Sequence, residues 1–359
     1  MDDNKLKAGI LGLSEQGCQL LEGMWQTELF DIIAVASQDS DQTKKIARKY
    51  ETTAFDDYRQ LVVQNALDVL IVADPMHLCE EYVRAAMKKA FNVVKLCPPC
   101  LDFEQAAELV ALARKEKVMF TTVPAGRFSA GFGKLKEYLE SKEADPVNLI
   151  NVTCYVPPKT DNPDQRWLSA PESAGGGVLL RNCYELIDQI VLNFGVPEKV
   201  YSLNTNMAPD KQQRLSITED TAVVTMKFSD TLICNLLASR TFGPDEQVIR
   251  LYGKNRNFAV SAEKFTIRDS SGGVLKRSAR AGDKGQAIIK MFENLGKAIR
   301  SPETKLLWPD GNAILNNMAV IESAYLSAKT GMPEEPSRIL GMIDAESTGI
   351  WSSTMKRIV

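Results

Sequence analysis

The first third of the chain alternates continuous apolar runs with amphipathic segments, and this alternation limits the possible folds more than any other feature. Strands are predicted at Leu6–Leu11, Asp31–Ala36, Asp68–Ala73, Asn92–Leu96 and Val118–Val123. Helices are predicted between them at Gln16–Trp25, Asp41–Tyr50, Leu78–Ala90 and Phe103–Lys115. Strands that are apolar throughout and separated by helices form a parallel sheet with helices on both faces. Residues 1–124 are therefore predicted to form a doubly wound α/β domain of the Rossmann type.

After about residue 124 the pattern changes to strands separated by hairpin-type breaks such as Ser229-Asp230, which predicts a mostly antiparallel sheet. The strands are predicted at Leu149–Val156, Val200–Asn204, Ala222–Phe228, Thr231–Ser239 and Val248–Leu251. The helices are predicted at Gly131–Ser141, Val178–Phe194, Lys284–Ile299 and Gly311–Thr330. We therefore expect an α+β domain over residues 125–335, with a long loop at Val156–Gly177 and a surface tail at residues 336–359.

Composition excludes several classes of protein. The chain has 359 residues, of which 44% are hydrophobic and 25% charged, so it is neither a disordered chain nor a small disulfide scaffold. A formal net charge of −3 gives no bulk attraction to nucleic acid or to an anionic membrane. The first residues are acidic and lead directly into a strand, unlike a secretory signal. Seven irregularly spaced cysteines then predict reduced thiols in the cytoplasm.

A glycine loop lies between the first strand and the first helix. Gly12, Ser14 and Gly17 follow the outline of the dinucleotide fingerprint G-x-G-x-x-G, with serine at the middle position. The helix N-terminus would supply positive potential for a diphosphate, and the Ser14 hydroxyl could donate to it. The sequence therefore predicts a dinucleotide site that includes Gly12, Ser14, Glu15, Gln16 and Gly17.

The end of the second strand does not decide between NAD and NADP. Ser37 stands where an acid usually binds the adenosine ribose, and the nearest acid is Asp39. A 2′-phosphate could be reached only by Lys44 and Lys45 from the next helix. Ser37 is included among the predicted cofactor-binding residues, and a Rossmann-like domain that binds no dinucleotide stays open as an alternative.

Several short motifs resemble, in order and spacing, the glucose–fructose oxidoreductase / inositol dehydrogenase (Gfo/Idh/MocA) family, and the resemblance covers nearly the whole chain. They are the strand Val93–Pro98 in the place of Glu-Lys-Pro, Arg127-Phe128, the triple glycine Gly175–Leu180, Glu219–Ala222 and Glu322–Gly331. The resemblance implies hydride transfer between a nicotinamide and a sugar, inositol or related polyol. It also implies that the Asp74–Cys79 turn, including Pro75 and His77, approaches the nicotinamide.

The resemblance also shows that the usual proton-handling residues are replaced. Cys97 takes the place of the family's lysine, Arg181 that of its aspartate, and Glu185 that of its histidine. Only Asp188, which we expect to support the helix, is retained. Oxidation of an alcohol still requires a base for the hydroxyl proton.

A replacement set of catalytic residues can be formulated. Glu185 is the predicted base, provided that burial raises its pKa. Arg181 would bind a substrate carboxylate or keep Glu185 ionised, Tyr184 would donate to a substrate oxygen, and Cys97 would contact both substrate and cofactor. The alternative is that Arg181 and Glu185 form only an i,i+4 salt bridge on a solvated helix face.

The cysteines allow one further interpretation. Cys97-Pro98-Pro99-Cys100 has C-x-x-C spacing, and the resemblance brings Cys79, Cys183 and His77 close to the same cleft. A metal or redox site is therefore one alternative, and small buried thiols that replaced polar groups are the other. We do not predict a metal site, so no residue is assigned as a metal ligand.

The function predicted from the sequence is an NAD- or NADP-dependent oxidoreductase with a small hydroxylated substrate and non-standard catalytic residues. The alternative is a catalytically inactive family member with a regulatory or scaffolding role. The open face of the second domain's sheet is expected to be covered by another copy, in a homodimer or homotetramer.

Overall fold

The computed structural model describes residues 5–141, 144–157, 170–206, 218–279, 284–301, 304 and 306–347. Its first part is a parallel sheet in the order β3-β2-β1-β4-β5-β6. The six strands are β1 Leu6–Leu11, β2 Phe30–Ala36, β3 Thr53–Phe55, β4 Val69–Val72, β5 Asn92–Lys95 and β6 Phe120–Thr122. The helices between them are α1 Glu15–Gln26, α2 Ser40–Lys49, α3 Tyr58–Gln64, α4 Met76–Lys88 and α5 Phe103–Glu116. The predicted Rossmann domain is therefore confirmed.

Side-chain caps explain where three of these helices begin. Ser14, Asp39 and Asp102 each accept a hydrogen bond from a backbone amide in the first turn of α1, α2 and α5. Since each cap lies at the carboxyl end of the preceding strand or just beyond it, the helix starts gather along one edge of the sheet. That edge is where ligands bind in doubly wound folds.

The second part contains an eight-stranded sheet in the order β14-β13-β12-β11-β7-β10-β9-β8. Its strands are β7 Val147–Tyr155, β8 Lys199–Thr205, β9 Thr221–Lys227, β10 Ile233–Ser239, β11 Glu246–Gly253, β12 Arg256–Val260, β13 Lys264–Asp269 and β14 Val274–Ala279. Every pairing is antiparallel except that of β10 with β7. The predicted large, mostly antiparallel sheet is confirmed.

Helices cover one face of this sheet and connect it to the first domain. They are α6 Ala130–Leu139, α7 Pro171–Ala174, α8 Val178–Asn182, α9 Tyr184–Phe194, α10 Lys284–Arg300, α11 Gly311–Thr330 and α12 Pro336–Ser347. A 3₁₀ turn at Ala125–Phe128 joins the two domains. Helix α10 returns to the first domain, where Ile288 lies against Gly23 of α1. None of the described helices is long and apolar enough to cross a membrane.

The structure differs from the predicted elements in four places. Strand β3 and helix α3 were not predicted, because each is too short to show a clear period. Strands β12 to β14 were also not predicted. The helix predicted at Val178–Phe194 is broken at Cys183 into α8 and α9. Part of the predicted tail is helix α12, in which Ile339 is buried; most of the loop predicted at Val156–Gly177 lies outside the described residues.

Candidate active site

The glycine loop has the shape that a dinucleotide site requires. Gly12 has a φ of +91°, which favours glycine, and its amide donates to the Ala36 carbonyl oxygen at 2.8 Å. A Cβ atom on Gly17 would lie 2.4 Å from the Gly12 oxygen. The first glycine therefore makes the tight turn and the last lets α1 pack closely on the strand, as in dinucleotide-binding folds.

The middle of the loop differs from the fingerprint in its polar groups. The Ser14 hydroxyl accepts a hydrogen bond from the Gly17 amide at 3.2 Å and so caps α1. Ser14, Glu15 and Gln16 are all exposed, and the Gln19 amide donates to Glu15 at 3.4 Å. A diphosphate at the start of α1 would lie close to the backbone amides of the first turn and to the carboxylate of Glu15.

The remaining predicted cofactor residues lie along the same sheet edge. Ser37 is buried, and its hydroxyl accepts from the Asp39 amide at 3.1 Å. Pro75 precedes α4, and His77 lies in the first turn of that helix; both are partly buried. Burial and the positive charge of Arg181 lower the pKa of His77.

A cavity of about 600 Å³ lies between the two domains. It extends from Gln16 at the start of α1 to Glu185 on α9, so it joins the predicted cofactor loop to the predicted base. Its other polar lining residues are Gln19, Ser129, Asp245, Gln247, Ser261 and Glu263. We call this cavity the interdomain cleft.

Glu185 is partly buried in the wall of the interdomain cleft. Burial and the negative charge of Asp188 raise its pKa to about 7, while the Gly126 amide acts in the opposite direction. A carboxyl with such a pKa can accept and release a proton near neutral pH. The structure therefore provides the environment that the sequence prediction required for this residue.

Cys97 lies near Glu185, but its thiol is not ionised. The Sγ atom donates to the Val123 carbonyl oxygen at 3.4 Å. Burial raises the pKa of the Cys97 thiol well above its ordinary value, and the charge of Glu185 adds to this effect. A neutral thiol can contact a ligand, but it does not replace a lysine ammonium as a charged donor.

Arg181 and Tyr184 are not brought to the cleft. The break at Cys183 separates the two residues into different helices, and Arg181 donates to the Ala174 carbonyl oxygen at 3.3 Å. Burial and the nearby charge of Arg240 lower the pKa of Arg181 to about 10. Tyr184 is 1% exposed and belongs to the hydrophobic core. Cys183 separates α8 from α9, so Arg181 and Glu185 do not lie on one continuous helix as predicted.

Asp188 connects α9, the helix that carries Glu185, to two neighbouring elements. Its carboxylate accepts two hydrogen bonds from the Arg127 guanidinium, at 2.6 and 2.8 Å, and one from Asn317 at 2.9 Å. Arg127 is on the 3₁₀ turn between the domains, Asp188 is on α9 and Asn317 is on α11. This buried bidentate pair fixes α9, and with it Glu185, relative to the domain junction.

The triple-glycine loop is positioned by a buried carboxylate. Glu219 accepts hydrogen bonds from the Gly177 and Leu179 amides, at 2.8 and 2.9 Å, and from the Tyr325 hydroxyl at 3.0 Å. Burial raises the pKa of Glu219. Two of the motifs noted in the sequence, at Glu219–Ala222 and Glu322–Gly331, therefore act together to position α8 and α9.

Three of the cysteines lie around a buried lysine. All seven cysteines are free, and burial raises the pKa values of Cys79, Cys100 and Cys183. The amine of Lys95 lies among Cys79, Cys97 and Cys100, and burial lowers its pKa to about 8. Within the described ranges, no three histidine, cysteine or acidic side chains are arranged to hold a metal ion. Buried thiols with raised pKa values are poor nucleophiles and poor metal ligands.

Two family profiles match separate parts of the chain. Residues 6–123 match the profile of an oxidoreductase family with an NAD-binding Rossmann fold, GFO/IDH/MocA, and residues 132–259 match the GFO/IDH/MocA C-terminal domain. The chain belongs to the GFO/IDH/MocA oxidoreductase family. The resemblance seen in the sequence is thus confirmed, and the first domain is the family's NAD-binding domain.

Individual relatives in the GFO/IDH/MocA family are distant. The chain is 25% identical to an uncharacterized oxidoreductase of Streptococcus pneumoniae over 63% of its own length, and 24% identical to D-xylose 1-dehydrogenase (NADP(+)) 2 of Haloferax volcanii over 55%. The matched segments span 60% of each relative. An oxidoreductase from Agrobacterium radiobacter, solved with NAD⁺, L-tartaric acid and magnesium, has the same fold, with a TM-score of 0.79 at 14% identity over 94% of this chain and 100% of that one.

Sequence reasoning missed residues that only the tertiary structure brings to the site. Gln19, Asp245, Gln247 and Glu263 line the interdomain cleft from α1, β11 and the β12–β13 turn. Asp74 and Tyr58 meet at the edge of the first sheet, although 16 residues separate them. The position of Asp74 directly before Pro75, in the turn expected to approach the cofactor, was the one signal that could have identified it.

Proposed function

We propose that this protein is an NAD(P)-dependent oxidoreductase that oxidises or reduces a sugar, polyol or related small hydroxy compound, with Glu185 as its acid–base group. The observation that carries the proposal is the position of Glu185, which lies in the interdomain cleft opposite Gln16 and has a pKa of about 7. Dehydrogenation of a sugar by the Haloferax volcanii relative supports the substrate class.

The residues of the first domain fit a dinucleotide. The turn at Gly12, the close packing at Gly17 and the start of α1 would hold the diphosphate. A bound nicotinamide dinucleotide supplies hydride chemistry. Glu185 would take the proton from the substrate hydroxyl as hydride leaves the carbon that bears this hydroxyl, and would return the proton to the carbonyl oxygen in the reverse reaction. Gln16, Gln247 and Ser261 are the polar cleft residues that would orient the substrate.

The proposal is tested by measuring reduced dinucleotide at 340 nm with NAD or NADP and a panel of sugars and polyols. Replacement of Glu185 by glutamine should lower kcat about 10²- to 10⁴-fold, the usual contribution of a general base. Because the carboxylate form is the base, the oxidation rate should rise with pH and level off above about 7. Glu185→Gln should lack this rise, whereas Glu263→Gln, at the exposed mouth of the cleft, should retain it.

The inactive alternative is favoured by a separate observation. Cys97 is a neutral thiol and Arg181 lies outside the cleft, so neither supplies what the family's lysine and aspartate would. If the wild-type protein binds NADH but transfers no hydride to or from any member of the panel, the proposal for Glu185 is wrong. A regulatory or scaffolding role would then be the better interpretation.

We further infer that the protein functions in the cytoplasm. The seven cysteines are all free, and most of them are buried, which suits a reducing compartment.

A further inference from the structure

The sheet edge of the first domain contains a carboxylate for which the proposed chemistry has no role. Asp74 lies two residues beyond the end of β4, at the point where the strand order reverses between β1 and β4. Ligands of doubly wound folds bind in the crevice at this point. A Cβ atom on Gly12 would lie 2.4 Å from Asp74 Oδ1, so the carboxylate lies directly against the turn of the glycine loop.

A second side chain holds this carboxylate in place. The Tyr58 hydroxyl donates to Asp74 Oδ2. The backbone of Gln38, which follows β2, lies close enough to the same hydroxyl to counteract part of the rise in its pKa that burial and Asp74 cause. Tyr58 itself is buried at the start of α3, with its ring packed edge-on against Tyr82. The group therefore links the carboxyl ends of β1, β2 and β4, and it leaves Oδ1 of Asp74 on the side of Gly12.

The end of β2 explains what this carboxylate could do. The acid that usually binds the adenosine ribose there is replaced by Ser37, whose hydroxyl already accepts from the Asp39 amide. Asp39 in turn caps α2 by accepting from the Gln42 amide at 2.9 Å. Lys44 and Lys45 are exposed beyond the first turn of α2.

We propose that Asp74, positioned by Tyr58, binds the adenosine ribose hydroxyls in place of an acid at the end of β2, and thereby selects NAD over NADP. A ribose hydroxyl can donate to a carboxylate, whereas the 2′-phosphate of NADP is anionic and would be repelled by it. The inference rests on the proposed function only in requiring that the chain bind a dinucleotide. It does not depend on Glu185 or on any substrate.

The experiment is calorimetric titration of the full chain with NADH and with NADPH, without substrate. Wild-type protein should bind NADH at least about tenfold more tightly than NADPH. Asp74→Asn keeps the shape and an acceptor for Tyr58 but removes the charge. It should weaken NADH binding about tenfold, the effect of one charge-assisted hydrogen bond, and should leave NADPH binding unchanged or stronger.

Two further variants distinguish a change in the preference for NADH over NADPH from a general loss of dinucleotide binding. Asp57→Asn removes a neighbouring exposed carboxylate that caps α3 and should leave the ratio of the two affinities unchanged. Tyr58→Phe should shift the ratio in the same direction as Asp74→Asn, but less, because it frees Asp74 without removing it. A loss of folding would weaken both dinucleotides together and would not change their ratio.

The possible outcomes distinguish this inference from the proposed function. Equal or tighter binding of NADPH by the wild type, or a ratio that Asp74→Asn leaves unchanged, would overturn the role of Asp74 while the oxidoreductase proposal stands. Tighter NADH binding by Asp74→Asn would also overturn it, because the carboxylate would then obstruct the site. Absence of binding by both dinucleotides would overturn both proposals.

Discussion

At the scale of single residues, burial gives this site its chemistry. By the resemblance to the family, Glu185 and Cys97 replace a histidine and a lysine, and burial shifts the pKa of each upward. For the carboxyl this shift leads to a value near neutrality, where a base is effective; for the thiol it leads away from neutrality. The same physical effect therefore favours Glu185 as the proposed base and leaves Cys97 a neutral thiol.

The raised pKa of Glu185 has a cost in stability that can be measured. Its ordinary value is 4.5 and its value in the fold is about 7, so the folded state holds the proton more tightly than the unfolded state. Glu185 therefore destabilises the fold increasingly as the pH rises from about 4.5 through 7. The Glu185→Gln variant should be more stable than the wild type at pH 8 by roughly 1–3 kcal/mol, with little difference at pH 5.

Urea denaturation at both pH values checks this prediction. The control is Glu263→Gln at the cleft mouth, which should change the free energy of unfolding by less than about 0.5 kcal/mol at either pH, as is usual for exposed positions. Equal stabilities of Glu185→Gln and the wild type at pH 8 would contradict the assigned pKa.

At the scale of elements, a few close contacts position Glu185, the proposed base. The triple-glycine loop leads into α8 and α9, and Glu219 holds it by its amides. Arg127 and Asn317 hold the other side of α9 through Asp188. The position of Glu185 therefore depends on the triple-glycine loop before α8 and on the contacts that Asp188 makes on α9.

Two glycine-to-alanine substitutions should have opposite effects. A Cβ atom on Gly177 would lie 1.7 Å from the Glu219 carbonyl oxygen, so Gly177→Ala should displace the loop and destabilise the fold by roughly 3 kcal/mol. Gly133 lies within α6 with nothing within 4 Å of its Cβ position, so Gly133→Ala should stabilise by up to about 1 kcal/mol. Urea unfolding curves of both variants, compared with the wild type, give the two values; similar effects would show that the loop tolerates a side chain.

At the scale of the whole molecule, one face of the eight-stranded sheet carries an apolar row. The strand register aligns Leu203, Val223, Leu237, Thr153 and Val248 across five neighbouring strands. Leu203 is 57% exposed and Val223 is 37% exposed. Val248, at the other end of the row, is buried. Exposed apolar side chains that lie next to each other on a sheet face, such as Leu203 and Val223, are typical of a surface that another molecule covers.

The homodimer or homotetramer therefore stays a prediction, and the row gives it a test. Light scattering after size-exclusion chromatography should give the wild type a mass of two or four chains. Val223→Lys places a charge beside Leu203 in the exposed part of the row and should yield monomers. Val63→Lys, at a valine of α3 in the first domain that is 60% exposed, should leave the mass unchanged. A monomeric wild-type protein would contradict the prediction.

Much of the fold was predictable from the sequence because its signals are local. Buried strands of the first domain are continuous apolar runs, and the glycine loop marks the turn between β1 and α1 through backbone conformation alone. Short elements such as β3 and α3 escaped prediction because three to seven residues contain too little periodicity. The break at Cys183 escaped because the helical spacing of apolar residues continues from α8 into α9.

The sequence by itself determined the two-domain architecture, the family and the position of Glu185 after the triple-glycine motif, since each depends on residue order and spacing. Only the tertiary structure decided that Glu185 faces a cleft, that Arg181 and Tyr184 do not, and that Asp74 meets Gly12 and Tyr58. The physical reason is that pKa shifts and ligand contacts depend on burial and on distances between residues far apart in the chain. Neither quantity can be obtained from local sequence patterns.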